Sequence, residues 1–249
     1  WSIDPMPYRV DLLFSYRASA MIPGDLKTAE PYQGSLYAQD FPGGEKGLVS
    51  SLQVGIMLDN RDFEPAPTRG SWLEASIRGA HHVILSDYDY FGYNLTARGY
   101  IPVFTDRLVL ADRAMHDGIV GDAHTVELTT PGGFQKYVFY GSLNAGRGIR
   151  LRRYVGKVKA MNQVELRWTA WSPIVAKVPI DVTLLAFNDL GFVGSDFNEI
   201  EQMFEHPLPT VGGGLRLAFD RNFIVRADVG VSKIEEWSPS VYIDIKNTF

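Results

Sequence analysis

What most constrains this chain is a period-2 alternation of apolar and polar side chains, repeated along its length with no helical rhythm to compete with it. Near the end Val241, Ile243, Ile245 and Phe249 share one face, and Tyr242, Asp244, Lys246 and Thr248 the other. Upstream, Phe223, Val225, Ala227, Val229 and Val231 alternate with Ile224, Arg226, Asp228, Gly230 and Ser232. Val164, Leu166 and Trp168 oppose Glu165, Arg167 and Thr169 in the same way, and Leu52, Val54, Ile56 and Leu58 repeat the rhythm earlier. Successive side chains of a strand point to opposite faces of its sheet, so each segment reads as a strand with one greasy and one polar side. Strands are expected at residues 7–19, 47–59, 70–84, 91–104, 106–118, 159–171, 176–190, 210–220, 222–233 and 239–249. That is an even number, as closed single-chain bacterial barrels have.

A soluble barrel turns its apolar face inward and a membrane barrel turns it outward, and both carry the same alternation. Three features favour the membrane. The expected strands are as long as a tilted membrane strand requires. Their connections alternate short, as at Trp171-Ser-Pro-Ile and Asp220-Arg-Asn, with long, as at 21–46, 119–158 and 191–208. Aromatics gather near strand ends, with Tyr88, Tyr90, Phe91 and Tyr93 at one level and Trp168, Trp171 and Phe249 at the other. The most apolar stretch, Ile174 to Phe187, is broken by Lys177, Pro179 and Asp181, so no helix of this chain is suited to crossing a bilayer. A closed barrel is the other structure that satisfies every backbone group in lipid.

Composition narrows the function. The net charge is -5, with no basic block, which argues against a nucleic-acid partner. The absence of cysteine removes disulfides, thiolate metal sites and cysteine nucleophiles. Trp1-Ser-Ile-Asp-Pro5 reads as a mature or trimmed end. No linker divides the sequence, so residues 1–249 are expected to form a single outer-membrane β-barrel domain with one long loop at about 119–158.

Within that loop, Asn144-Ala-Gly-Arg147-Gly148-Ile149-Arg150-Leu-Arg-Arg153-Tyr-Val-Gly156 sets arginines among glycines, which taken alone reads as a solvated basic loop. It is followed by Glu165 on the next strand and by Phe187-Asn-Asp189-Leu-Gly191, and preceded by Asp59-Asn-Arg61-Asp62 with Pro67-Thr-Arg69-Gly70. This succession resembles the BamA-type outer-membrane assembly and translocation superfamily, whose barrel is also called the bacterial surface antigen domain. The resemblance covers about residue 47 to Phe249. It makes Arg147 and Gly148 the tip of loop six and Arg150 to Gly156 the stretch after it. Glu165, Phe187, Asp189 and Gly191 become lumen-wall residues, and Asp59, Arg61, Asp62, Pro67 and Gly70 a periplasmic hairpin. The family usually has Phe or Tyr where Ile149 stands, and generally carries polypeptide-transport-associated (POTRA) domains and more strands. The expectation is therefore a minimal member without POTRA domains, or part of a longer chain.

The pairing of Arg147 with Asp189 also has a physical argument of its own. Asp189 shares a strand face with Asp181 and Thr183, so in a membrane barrel it points into the lumen, where an arginine fork on an inward-folded loop meets it bidentately.

Other chemistry is weak. His81 and His82, adjacent in an expected strand, point to opposite faces and do not easily share an ion. Ser86, His82 and Asp87 lack anything that orients a hydrolase triad. Gly212-Gly213-Gly214 precedes no phosphate-binding helix. Asp87, Asp89, Glu199 and Glu201 read as solvated loop acids. The expectation is a non-enzymatic protein with no cofactor and no metal. The resemblance implies the bacterial outer membrane, surrounding lipid, and unfolded outer-membrane proteins or the subunits of an outer-membrane complex as partners. It implies help with insertion or translocation of proteins, with lipids as a second cargo class, and places the last strand, with Tyr242 and Phe249, at the barrel seam. A structural subunit or docking scaffold, or a narrow solute pore, are the alternatives.

Overall fold

A computed structural model describes residues 7–23 and 45–249; Trp1-Ser-Ile-Asp-Pro5 and most of the 21–46 connection lie outside the described residues. The strands are β1 (Arg9–Met21), β2 (Gly47–Asp59), β3 (Gly70–Ala80), β4 (Tyr90–Val103), β5 (Thr105–Gly121), β6 (Val158–Trp171), the two-residue β7 (Ile174–Val175), β8 (Val178–Gly194), β9 (Leu208–Phe219), β10 (Phe223–Val231) and β11 (Ser240–Ile245). They form a single antiparallel sheet in which each long strand pairs with its sequence neighbour, while β7 folds back on the start of β8. This is an up-and-down β-barrel, and β1 and β11 are the two ends of the strand order. Among the described residues no backbone ladder joins those edges.

The faces are inside out. Outside lie Leu12, Phe14 (77% exposed), Leu52, Val54, Ile56, Trp168, Val241 and Ile243 (74% exposed). Inside, the largest buried side chains include Arg113, Arg147, Arg226, Lys159, Gln163 and Glu165. An apolar exterior over a charged interior is stable only where the surroundings are themselves apolar, as a bilayer is. Phe91 and Trp171 point outward near opposite ends, where an aromatic girdle belongs. Tyr90 departs from that expectation: it turns inward and donates to Glu127 Oε2 at 3.0 Å.

Two strand ends depart from the alternation. β3 stops at Ala80, because His82–Ile84 turns as a 3-10 helix closed by Leu85 at φ +66°. β11 stops at Ile245, and Phe249 does not face the lipid. Lys246, at φ +133°, still donates its amide to Ile224 O at 2.8 Å, but the chain then turns into the lumen. Phe249 is 6% exposed, beside Tyr100 and beneath the guanidinium groups of Arg113 and Arg167 at 5.0 and 5.1 Å. Buried cationic stems offer it more packing than the exterior does.

Candidate functional site: a loop locked inside the barrel

Between β5 and β6, the connection 122–157 folds back into the lumen over residues 124–149. At their tip Arg147, 0% exposed, reaches the wall built by β6, β8 and β10. Its Nε and Nη2 fork onto Asp189 at 3.0 and 2.8 Å, and its own amide adds a third bond to Asp189 at 3.1 Å. Nη1 donates to Glu165 at 2.6 Å and to Asp228 at 3.3 Å. The guanidinium lies over the Phe187 ring, 3.5 Å from its centroid. Asp189, Glu165 and Asp228 together compensate the cost of burying the guanidinium charge.

The surrounding charges balance. Glu165 also accepts from Arg167 at 2.8 Å, Asp228 from Arg216 at 2.5 and 3.1 Å, and Arg226 bridges Thr248 at 2.5 Å and Asp244 at 3.1 Å. Four arginine side chains of this network (147, 167, 216 and 226) thus meet four carboxylates (165, 189, 228 and 244). A buried ionic network is tolerated when its members are paired in this way.

Glycine makes the approach possible at two places. Gly148 has φ +110°, and a Cβ there would lie 2.7 Å from Val231 N. A Cβ on Gly191 would sit 2.4 Å from the Tyr140 ring, which stacks against the wall at that point. Ile149, standing where the family has an aromatic residue, is 2% exposed within an apolar cluster of Met115, Phe139, Tyr140, Met161 and Leu208. Arg150 and Arg153 lie outside the lumen and hold Glu235, through the Arg150 amide at 3.1 Å and Arg153 Nη1 at 2.8 Å. Partial burial, the largest single influence on Glu235, raises its pKa, but these two donors and their charges bring it below its ordinary value. Gly156 packs against Gly194 O.

A second anchor holds the first half of the loop on the wall built by β2, β3, β5 and β6. Asp117 of β5 accepts from Arg78 at 3.1 and 3.2 Å, from Lys159 at 3.1 Å and from the Gly132 amide at 2.7 Å. Glu74 accepts from Phe134 N at 2.8 Å, and Gln53 donates to Gly132 O at 2.5 Å. Glu127 pairs with Arg17 of β1. Tyr140 donates to Leu208 O on β9, Arg226 to Leu143 O at 2.9 Å, and Gly148 N to Tyr242 Oη of β11 at 3.0 Å. With Tyr90 of β4, the loop hydrogen-bonds to every one of the ten long strands.

The lumen-wall residues expected from the sequence therefore gather around Arg147, while the hairpin residues stand apart. Arg61 forks onto Asp59 at 2.9 and 2.8 Å, and Asp62 accepts from Thr68 N at 2.9 Å and Thr68 Oγ1 at 2.6 Å. Pro67 and Gly70 complete that turn, which accepts a hydrogen bond from the tail, Asn247 Nδ2 to Pro65 O at 2.8 Å. Sequence reasoning missed Asp228, Arg216, Arg226 and the whole Asp117 cluster. The available signal was their inward parity on strands whose outward face is apolar.

Residues 22–223, more than half of the chain, match the Omp85 superfamily domain. The chain belongs to the Omp85 superfamily. The fold agrees: the structure is similar to that of BamA from Haemophilus ducreyi lacking POTRA domains 1-3, with a TM-score of 0.62 over 98% of this chain and 51% of that one, at 12% identity. This Omp85 chain thus spans about half the length of that structure. No curated protein matches it. BamA-like barrel architecture is what this Omp85 chain shares with that structure.

Proposed function

We propose that this Omp85 barrel forms a single domain in the bacterial outer membrane, where it assists insertion or translocation of proteins, with lipids as a second cargo class. The observation that supports this most is the buried Arg147 fork on Asp189 and Glu165, which fixes a long loop inside a lipid-facing barrel. With the lumen occupied, the edges of β1 and β11, which have no further ladder partner among the described residues, are where a client strand finds backbone donors and acceptors. In this reading the hairpin of Asp59, Arg61, Asp62, Pro67 and Gly70 lies on the periplasmic side, and Tyr242 marks the seam. The loop's bonds to all ten long strands disfavour the narrow-pore reading.

Depletion in the native host is the test. Unfolded barrel precursors are expected to accumulate in the periplasm, and normal levels of every folded outer-membrane protein would remove the proposal. A normal complement together with loss of a copurifying complex would instead favour a docking subunit.

A further inference from the structure

On the outer surface of the loop-bearing end, the β3–β4 connection carries a cluster that the lumen site does not use. Because His82 opens a 3-10 turn, the alternation that would separate the two histidines does not apply. Their rings lie on one side, with centroids 3.8 Å apart. Asp89 faces them, its Oδ1 accepting from the His82 amide at 2.8 Å and its Oδ2 lying 3.2 Å from His82 Nδ1. One ligand atom from each of the three residues falls within 4.8 Å of the other two.

We propose that His81, His82 and Asp89 form a surface site for a borderline divalent cation of the zinc type. Tetrahedral zinc holds nitrogen and oxygen at about 2.0–2.1 Å, which sets neighbouring ligands roughly 3.3 Å apart. The His82–Asp89 pair already has that spacing, and the ion takes the place of the proton between them, which leaves to solvent; His81 swings inward and gives up the bond from Val83 N to its Nδ1 at 3.2 Å.

The backbone beneath is fixed before any ion arrives. Ile84 N donates to His81 O at 2.9 Å, Asp87 N to Leu48 O at 2.8 Å, and Asp122 N to Asp89 O at 2.8 Å. Little ordering cost remains for binding. All three residues are exposed, so the ion's remaining position stays open to water. Two imidazoles with a single carboxylate select zinc, nickel or copper over calcium and magnesium, which prefer all-oxygen sites. The site is independent of the assembly function.

The test is calorimetric titration of zinc chloride into the untagged, chelator-treated barrel in detergent, with calcium chloride run in parallel. One zinc per chain and no calcium uptake are expected. His82→Ala and Asp89→Asn should each weaken zinc binding about tenfold or more, the double change His81→Ala with His82→Ala should abolish it, and His206→Ala should leave it unchanged. Heat-modifiable gel mobility checks that each variant remains folded. Wild-type zinc stoichiometry and affinity in the double variant, or no zinc uptake by the wild type, would overturn the proposal.

Discussion

At the scale of single residues, Arg147 carries the highest stake. Removing one member of a buried charge network leaves its partners uncompensated, at a cost of about 3–5 kcal/mol. Arg147→Ala should therefore lower the thermal unfolding midpoint of the detergent-solubilised barrel far more than Arg150→Ala, whose side chain is solvated. Arg147→Lys keeps the charge but loses the fork and the stacking on Phe187, and an intermediate loss of about 2 kcal/mol is expected. The double exchange Arg147→Asp with Asp189→Arg should recover part of the stability that each single exchange removes; three equally damaged variants would show that the pair is not coupled. Glu235 adds a pH response. Its folded-state pKa lies below the unfolded value, so its contribution is present at neutral pH and is lost as the pH falls through the folded value. The Arg150 amide nitrogen resonance should report that transition in the acid range, and Glu235→Gln should remove it.

At the scale of elements, the loop is held by two separate anchors, one for each half. Asp117→Asn should speed hydrogen exchange at Gly132 and Phe134 while leaving Gly148 protected by Tyr242, because the two anchors share no partner. Equal acceleration at all three amides would mean that the loop moves as one body. The strands were the legible elements, since period-2 alternation survives whichever face meets lipid. Glu165 and Asp189 were readable as inward by parity, and the motif order singled out their arginine partner. Parity also marked Arg216, Arg226 and Asp228 as inward, but not which loop atom each would meet. The turn at His82 and the inward bend after Ile245 were not legible. In both places local propensity continues the strand, and the backbone reversal is settled by contacts outside the segment itself, Asp89 on the far side of the same turn for the first and the distant Tyr100 and Arg167 for the second.

At the scale of the whole molecule, apolar exterior and charged interior make solubility the simplest check. The folded chain should require detergent or lipid, and a water-soluble monomer would contradict the outward placement of Leu12, Phe14 and Ile243. The seam then acquires a particular character. No ladder joins β1 to β11, yet Arg17 on the first is gripped by Glu127 and Tyr242 on the last by Gly148, two points of the same internal segment. Glu127→Ala combined with Tyr242→Phe should broaden the distance distribution between spin labels placed at Leu12 and Ile243, while either change alone should do so less. An open hoop ordinarily keeps its shape by fastening its rim; this one is braced by spokes from a hub, so its gap can widen only as far as the hub yields.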